Sequence, residues 1–136
     1  MNLATLNKIQ SDLESLQNHY EVVLFGSQVT GDSRPDSDYD IAVITRLKDI
    51  NTNISLQKRL LGQFLSIYDI RIFELYPIHI QISIINNYKV IFGDISEISE
   101  YFYFFRKLWD DCKHRILGNQ FSNFEERLKI QEKFTK

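Results

Sequence analysis

Val22-Val23-Leu24-Phe25-Gly26-Ser27-Gln28-Val29-Thr30-Gly31-Asp32-Ser33-Arg34-Pro35-Asp36-Ser37-Asp38-Tyr39-Asp40 decides how the 136-residue chain folds. Val22 to Phe25 reads as a short buried strand, and Tyr39 to Thr45, with Ile41, Val43 and Ile44 as its apolar content, reads as the next one. Everything between them is turn chemistry. Side chains alternate faces along a strand, so Asp38 and Asp40 point to the same side. Two carboxylates at this spacing repel unless a cation lies between them, and a hard divalent ion such as Mg²⁺ takes oxygen ligands of this kind. Gly26 lets the backbone turn sharply beside a ligand, and with Ser27 it offers donors suited to phosphate oxygens.

Two other readings of the stretch fail on single residues. Gly26 to Ser33 has the outer spacing of a Walker-type phosphate loop, yet Asp32 stands where that loop needs its lysine. Asp36, Asp38 and Asp40 begin like a calcium-binding EF-hand, yet Ile41 takes the glycine position and Leu47 that of the closing glutamate. The residues instead resemble the Gly-Ser, Gly and Ser-Asp-x-Asp signature of the nucleotidyltransferase superfamily, in its small form, the minimal nucleotidyltransferases. Matching Gly26, Ser27, Gly31, Ser37, Asp38 and Asp40 together by chance has a frequency on the order of 10⁻⁷ per starting position. Taken singly, each residue is an ordinary turn former. Asp40 is the exception, because a carboxylate inside a strand pattern is costly unless paired, hydrated or metal-bound.

The resemblance spans roughly Leu3 to Asp94 and implies an α+β fold: a small mixed sheet of about four strands with helices packed on one side, plus C-terminal helices. It implies a nucleotidyltransferase domain over residues 1–95 and a helical extension over 96–136 packed on it. It also implies transfer of a nucleoside monophosphate from ATP or another nucleoside triphosphate, with AMP from ATP the favoured case, to an acceptor hydroxyl with release of pyrophosphate. One or two Mg²⁺ ions would be held by Asp38, Asp40 and a third acid. Asp69 is the candidate for that acid, because it opens a strand after a helix and shares a strand face with Arg71. Glu74 is the rival, on the other face by parity. Gly26, Ser27, Arg34 and Ser37 would contact the nucleotide. Gln28 departs from the family, whose members often carry an arginine directly after Gly-Ser; Arg34 either substitutes for it or is a solvent-exposed loop charge. Arg71 either contacts a triphosphate or pairs with Asp69. Similar proteins are often antitoxins that silence a HEPN-domain toxin by adenylylating a tyrosine. Two further readings stay open: a regulatory module that binds nucleotide without useful transfer, and a small-molecule transferase of the aminoglycoside type.

Around this stretch, Leu3, Leu6, Ile9, Leu13 and Leu16 outline an amphipathic helix to about Asn18. A second helix is expected from about Ile50 to Ser66, interrupted by Gly62, and a third strand over Tyr68 to Leu75. Pro77 suits a helix start, but Ile78, Ile80, Ile82 and Ile84 alternate as a strand would, so the residues leave 78–85 open. The resemblance favours a short helix there. A last strand over Tyr88 to Phe92 follows, then a long helix to near Gly118 capped by Asp94 with Glu97, and a final helix over Asn123 to Phe134. Tyr101-Phe102-Tyr103-Phe104-Phe105 covers all sides of a helix, so some of these rings must meet a second surface, in a buried sandwich, a homodimer or a heteromeric interface.

Composition fits one folded domain, with 43% hydrophobic and 25% charged residues. A net charge of −2 gives no drive toward nucleic acid or acidic membranes. The single cysteine, Cys112, excludes an intrachain disulfide and is read as a buried small hydrophobe. No apolar run approaches the ~20 residues of a bilayer span, and no secretory pattern opens the chain, so a cytoplasmic location is expected. His19, His79 and His114 lack metal-ligand spacing.

Overall fold

A computed structural model describes residues 3–30 and 38–122, with Thr30 and residues 114–122 by backbone only. Arg34, Ser37, Gly31 and the expected final helix over Asn123 to Phe134 lie outside the described residues. The elements run α1 (Leu3–Asp12), β1 (Glu21–Phe25), α2 (Ser27–Thr30), β2 (Tyr39–Ile44), α3 (Ile50–Leu60), β3 (Tyr68–Ile72), α4 (Ile78–Asn86), β4 (Tyr88–Phe92) and α5 (Ile95–Ser122). Their sheet has the order β3-β2-β1-β4. β1 is antiparallel to β2 and β4, whereas β2 and β3 are parallel. The expected mixed four-stranded α+β architecture is therefore present.

Strand alternation explains the two cores. Val22, Leu24, Ile41, Val43, Ile70 and Ile72 point to one face, where Ile9 and Leu13 near α1 and Leu56 and Leu60 of α3 close over them. Val23, Ala42 and Ile44 point to the other face, against Ile84 and Ile85 of α4 and Ile98 and Phe102 of α5. Helices cover both faces, which corrects the one-sided packing expected from the sequence. The physical reason is β1 itself: Val22, Val23 and Leu24 are all fully buried, and a strand apolar on both sides needs two lids.

Several boundaries move for local reasons. α1 stops at Asp12 and a 3-10 turn over Glu14–Leu16 carries Leu16 into the same core, so the leucine pattern outlasts the helix. α3 ends at Leu60 rather than Ser66, just before Gly62, leaving Leu61 and Leu65 exposed. Asp49 caps its start, accepting from the Asn51 amide at 3.1 Å and the Thr52 hydroxyl at 2.7 Å. β3 ends at Ile72, and Phe73–Leu75 form a 3-10 turn where a longer strand was expected. Residues 78–86 are helical: the Pro77 carbonyl accepts from the Ile80 and Gln81 amides. Gln81, Ile84 and Ile85 are its buried positions, a spacing of three and four that alternation of isoleucines had masked. Asp94 caps α5 as expected, accepting from the Ser96 and Glu97 amides at 2.9 and 3.1 Å. Among the described residues, no helix is long and apolar enough to cross a membrane.

Candidate active site

Three chain segments meet at one end of the sheet. Phe25, the last residue of β1, is the cross-strand partner of Asp40 on β2, and Asp40 is in turn the partner of Asp69 on β3. Partners across a ladder share a face, so both carboxylates project on the α4/α5 side, with Asp38 just ahead of β2. Asp38 is exposed, while Asp40 and Asp69 are half-buried. Burial, then the charges of Asp69 and Asp38, push the Asp40 carboxyl above its ordinary range, and Arg71 opposes them. Arg71 donates from Nε to Asp69 Oδ1 at 3.1 Å. The Arg71 side chain is 52% exposed and that of Asp69 39%, so the worth of the pair is in positioning rather than stability.

Gly26 completes the cluster from behind. Its φ of +81° is a left-handed conformation that favours glycine. A Cβ built there would also collide with the Asp40 carboxylate, whose Cγ lies 3.1 Å from that position. The chain thus places backbone directly against the acid, and a single turn of helix, α2, starts at the next residue, Ser27. Arg34 and Ser37, the other expected nucleotide contacts, lie outside the described residues.

Glu74, the rival third acid, is engaged elsewhere. Its carboxylate accepts from the Thr45 and Arg46 amides at 3.1 and 2.9 Å and from the Tyr101 hydroxyl at 2.6 Å. Arg46 needs that support, because its φ is +60°. Its guanidinium forks onto Glu21 at 2.6 and 3.0 Å and lies over the Tyr101 ring, 4.6 Å from the centroid. Glu74→Ala would leave two amides and a phenol without acceptors, for an expected destabilisation of roughly 2–3 kcal/mol in chemical denaturation, with nucleotide binding at the distant acids intact. Asp69→Asn is expected to show the converse.

Tyr76 was not legible as a site residue. Its ring meets the Phe25 ring edge-on at 6.0 Å, and its hydroxyl feels the charges of Arg71, Asp69 and Asp40; burial pushes the phenol up to about 12. Nothing in its spacing marked it, since the 3-10 turn after β3 is what carries it to the cluster. Cys112 is half-buried rather than fully buried, and His19 and His79 are exposed.

The donor chemistry here, carboxylate oxygens alone, fits a hard divalent cation. Among the described residues no three side chains are already close enough to form a closed cation cage, so the fit is one of donor type.

Comparison with known proteins places the chain in a family. The profile of the polymerase beta nucleotidyltransferase family matches residues 7–97. A Methanocaldococcus jannaschii protein named as a protein adenylyltransferase is 40% identical over 115 residues, which cover 85% of this chain and 89% of that protein. Among solved structures, a toxin-antitoxin complex with AMP-PNP superposes with a TM-score of 0.57 at 21% identity, covering 85% of this chain and 98% of its counterpart. A Shewanella oneidensis complex of a tri-AMPylated HEPN toxin with its MNT antitoxin superposes with a TM-score of 0.53 at 20% identity, covering 88% and 99%. The structural likenesses carry the fold, and the family match covers the glycine turn, the paired strands and all three acids: this chain belongs to the polymerase beta nucleotidyltransferase family.

Proposed function

We propose that the chain transfers AMP from ATP to a tyrosine hydroxyl on a HEPN-type toxin partner, and so acts as an antitoxin. The observation that carries this reading is the ladder pairing of Asp40 with Asp69 beside the Gly26 turn. The adenylyltransferase name of the Methanocaldococcus relative and the AMPylated toxin in the Shewanella complex point to the nucleotide and the acceptor.

In the proposed reaction the phenol oxygen attacks the α-phosphorus, an O–P bond forms, the bond to the β-phosphate breaks, and pyrophosphate leaves. Gly26 and Ser27 hold the β and γ phosphates, fixing the line of attack. Arg34 and Ser37 assist there. Asp38 and Asp40 present the oxygens that would hold Mg²⁺, and Asp69, freed from Arg71, faces the acceptor and receives its proton. Bound Mg²⁺ supplies charge neutralisation on the phosphates and a lower pKa for the attacking hydroxyl. Arg71, released from Asp69, remains beside the leaving charge.

Incubation with labelled ATP, Mg²⁺ and a HEPN toxin tests the proposal. Label on a toxin tyrosine is the expected outcome. Nucleotide binding without transfer supports the regulatory module instead, and label on an added aminoglycoside supports the small-molecule transferase.

A further inference from the structure

A groove of about 740 Å³ lies at the opposite end of the sheet from the acids, where Leu47 and Ile50 face Tyr101, Phe104, Phe105 and Leu108 of α5. Its apolar residues are open to solvent: Phe104 is 67% exposed, Ile50 63% and Leu108 50%. It continues across Arg46, Tyr101 and Phe104 into a second hollow of about 450 Å³ rimmed by Asp94, Glu97 and Glu100. Glu97 and Glu100 have no ion-pair partner among the described residues. The surface is therefore apolar along its floor, with Arg46 and Lys48 in its lining and acids around the second hollow. A large apolar patch with such a rim marks an interaction site.

Helix α5 supplies the complementary chemistry. Residues 94–104 carry three acids, Asp94, Glu97 and Glu100, and no lysine or arginine, while residues 105–117 carry Arg106, Lys107, Lys113 and Arg115 against two acids. At 28 residues the helix is about 42 Å long, roughly twice the span of a strand in this sheet. Among its described side chains Ile98 and Phe102 are the fully buried ones, and Phe105 packs beside them. Just beyond Phe105, Arg106, Lys107, Leu108, Asp110 and Asp111 are exposed.

We propose that a second copy of this chain covers the groove, through antiparallel pairing of the two α5 helices about a twofold axis. With the twofold axis level with Phe104, the two Phe104 rings meet at the centre of the seam. Glu100 and Lys107 lie two helical turns apart on one flank of that seam, so the antiparallel copy sets each against the opposite charge. The contact is self-complementary, which closes the assembly at two chains, and it leaves the acid cluster at the far end of each sheet uncovered.

Sedimentation equilibrium of the full chain, at concentrations on the order of 10–100 µM, reads this directly. A dimer mass is expected. Phe104→Glu should weaken the dimer at least roughly tenfold by setting a carboxylate in the seam, and circular dichroism should show the fold kept, since Phe104 is mostly solvent-exposed already. Glu100→Lys should also loosen the dimer, and adding Lys107→Glu should restore it, which a merely structural effect would not do. A wild-type chain that stays monomeric overturns the proposal, as does a dimer indifferent to Phe104→Glu or a charge reversal that fails to recover. Mass, not transfer, is measured, so failure here leaves the proposed reaction standing.

Discussion

Asp40→Asn is expected to lower AMP transfer on the order of 10³-fold, the scale seen when one preorganised electrostatic group is removed from a phosphoryl or acyl transfer site. The variant should be no less stable than the parent. Asp40 stands between Asp69 and Asp38 and is partly buried, and those neighbours and that burial all disfavour its charge. Asparagine removes the repulsion at nearly constant size. A catalytic defect combined with an unchanged or higher unfolding midpoint would mark the acid as retained for chemistry at a cost in stability. Loss of activity together with collapse of the fold would show instead that Asp40 is structural.

The same environment fixes the sign of a pH effect. The folded pKa of Asp40 lies above its unfolded value, so across that interval the folded chain binds more protons. Stability contributed by this group therefore falls as pH rises through the interval and recovers on acidification. Denaturation followed over pH 3–6 (roughly the carboxylate range), in chelator, should show a local gain on lowering pH in the parent that Asp40→Asn lacks.

Gly26→Ala carries the second large effect. Alanine at a φ of +81° costs about 1–2 kcal/mol, and its methyl group would occupy space now held by the Asp40 carboxylate. Either the β1 end shifts or Asp40 rotates away from Asp69. Both outcomes displace an oxygen from the cluster, and a displacement of about 1 Å can cost on the order of 10²-fold in rate. A denaturation midpoint lowered by about 2–3 kcal/mol equivalent, with transfer reduced well beyond the unfolded fraction, is expected. A fully active, equally stable variant would show that close approach at this glycine is unnecessary.

Much of this site was readable because strands have a period of two. Once Val22 to Phe25 and Tyr39 to Ile44 were recognised, the shared face of Asp38 and Asp40 followed from geometry, and Asp69 was placed with Arg71 by the same parity. Glu74 could not be dismissed that way. What sets it apart is the 3-10 turn at Phe73–Leu75, after which its carboxylate meets Thr45, Arg46 and Tyr101. Asn53 and Gln81, the buried polar residues among the described ones, were invisible for a related reason. Asn53 accepts from the Thr45 hydroxyl at 2.8 Å and donates to the Leu47 carbonyl at 3.0 Å, and Gln81 donates to the Phe73 carbonyl at 3.1 Å. Their partners lie on loops whose paths no local pattern specifies.

From its residues alone the chain specified the strand pair, the glycine turn between them and the face on which the acids stand, because these depend on backbone dihedrals and on alternation over a few neighbours. Only tertiary packing decided that helices close both faces of the sheet, that 78–86 coils rather than extends, and that Tyr76 packs on Phe25 while Glu74 turns to Thr45, Arg46 and Tyr101. Such choices turn on burial and hydrogen-bond partners supplied by distant segments, and a side chain's sequence neighbours carry no record of them.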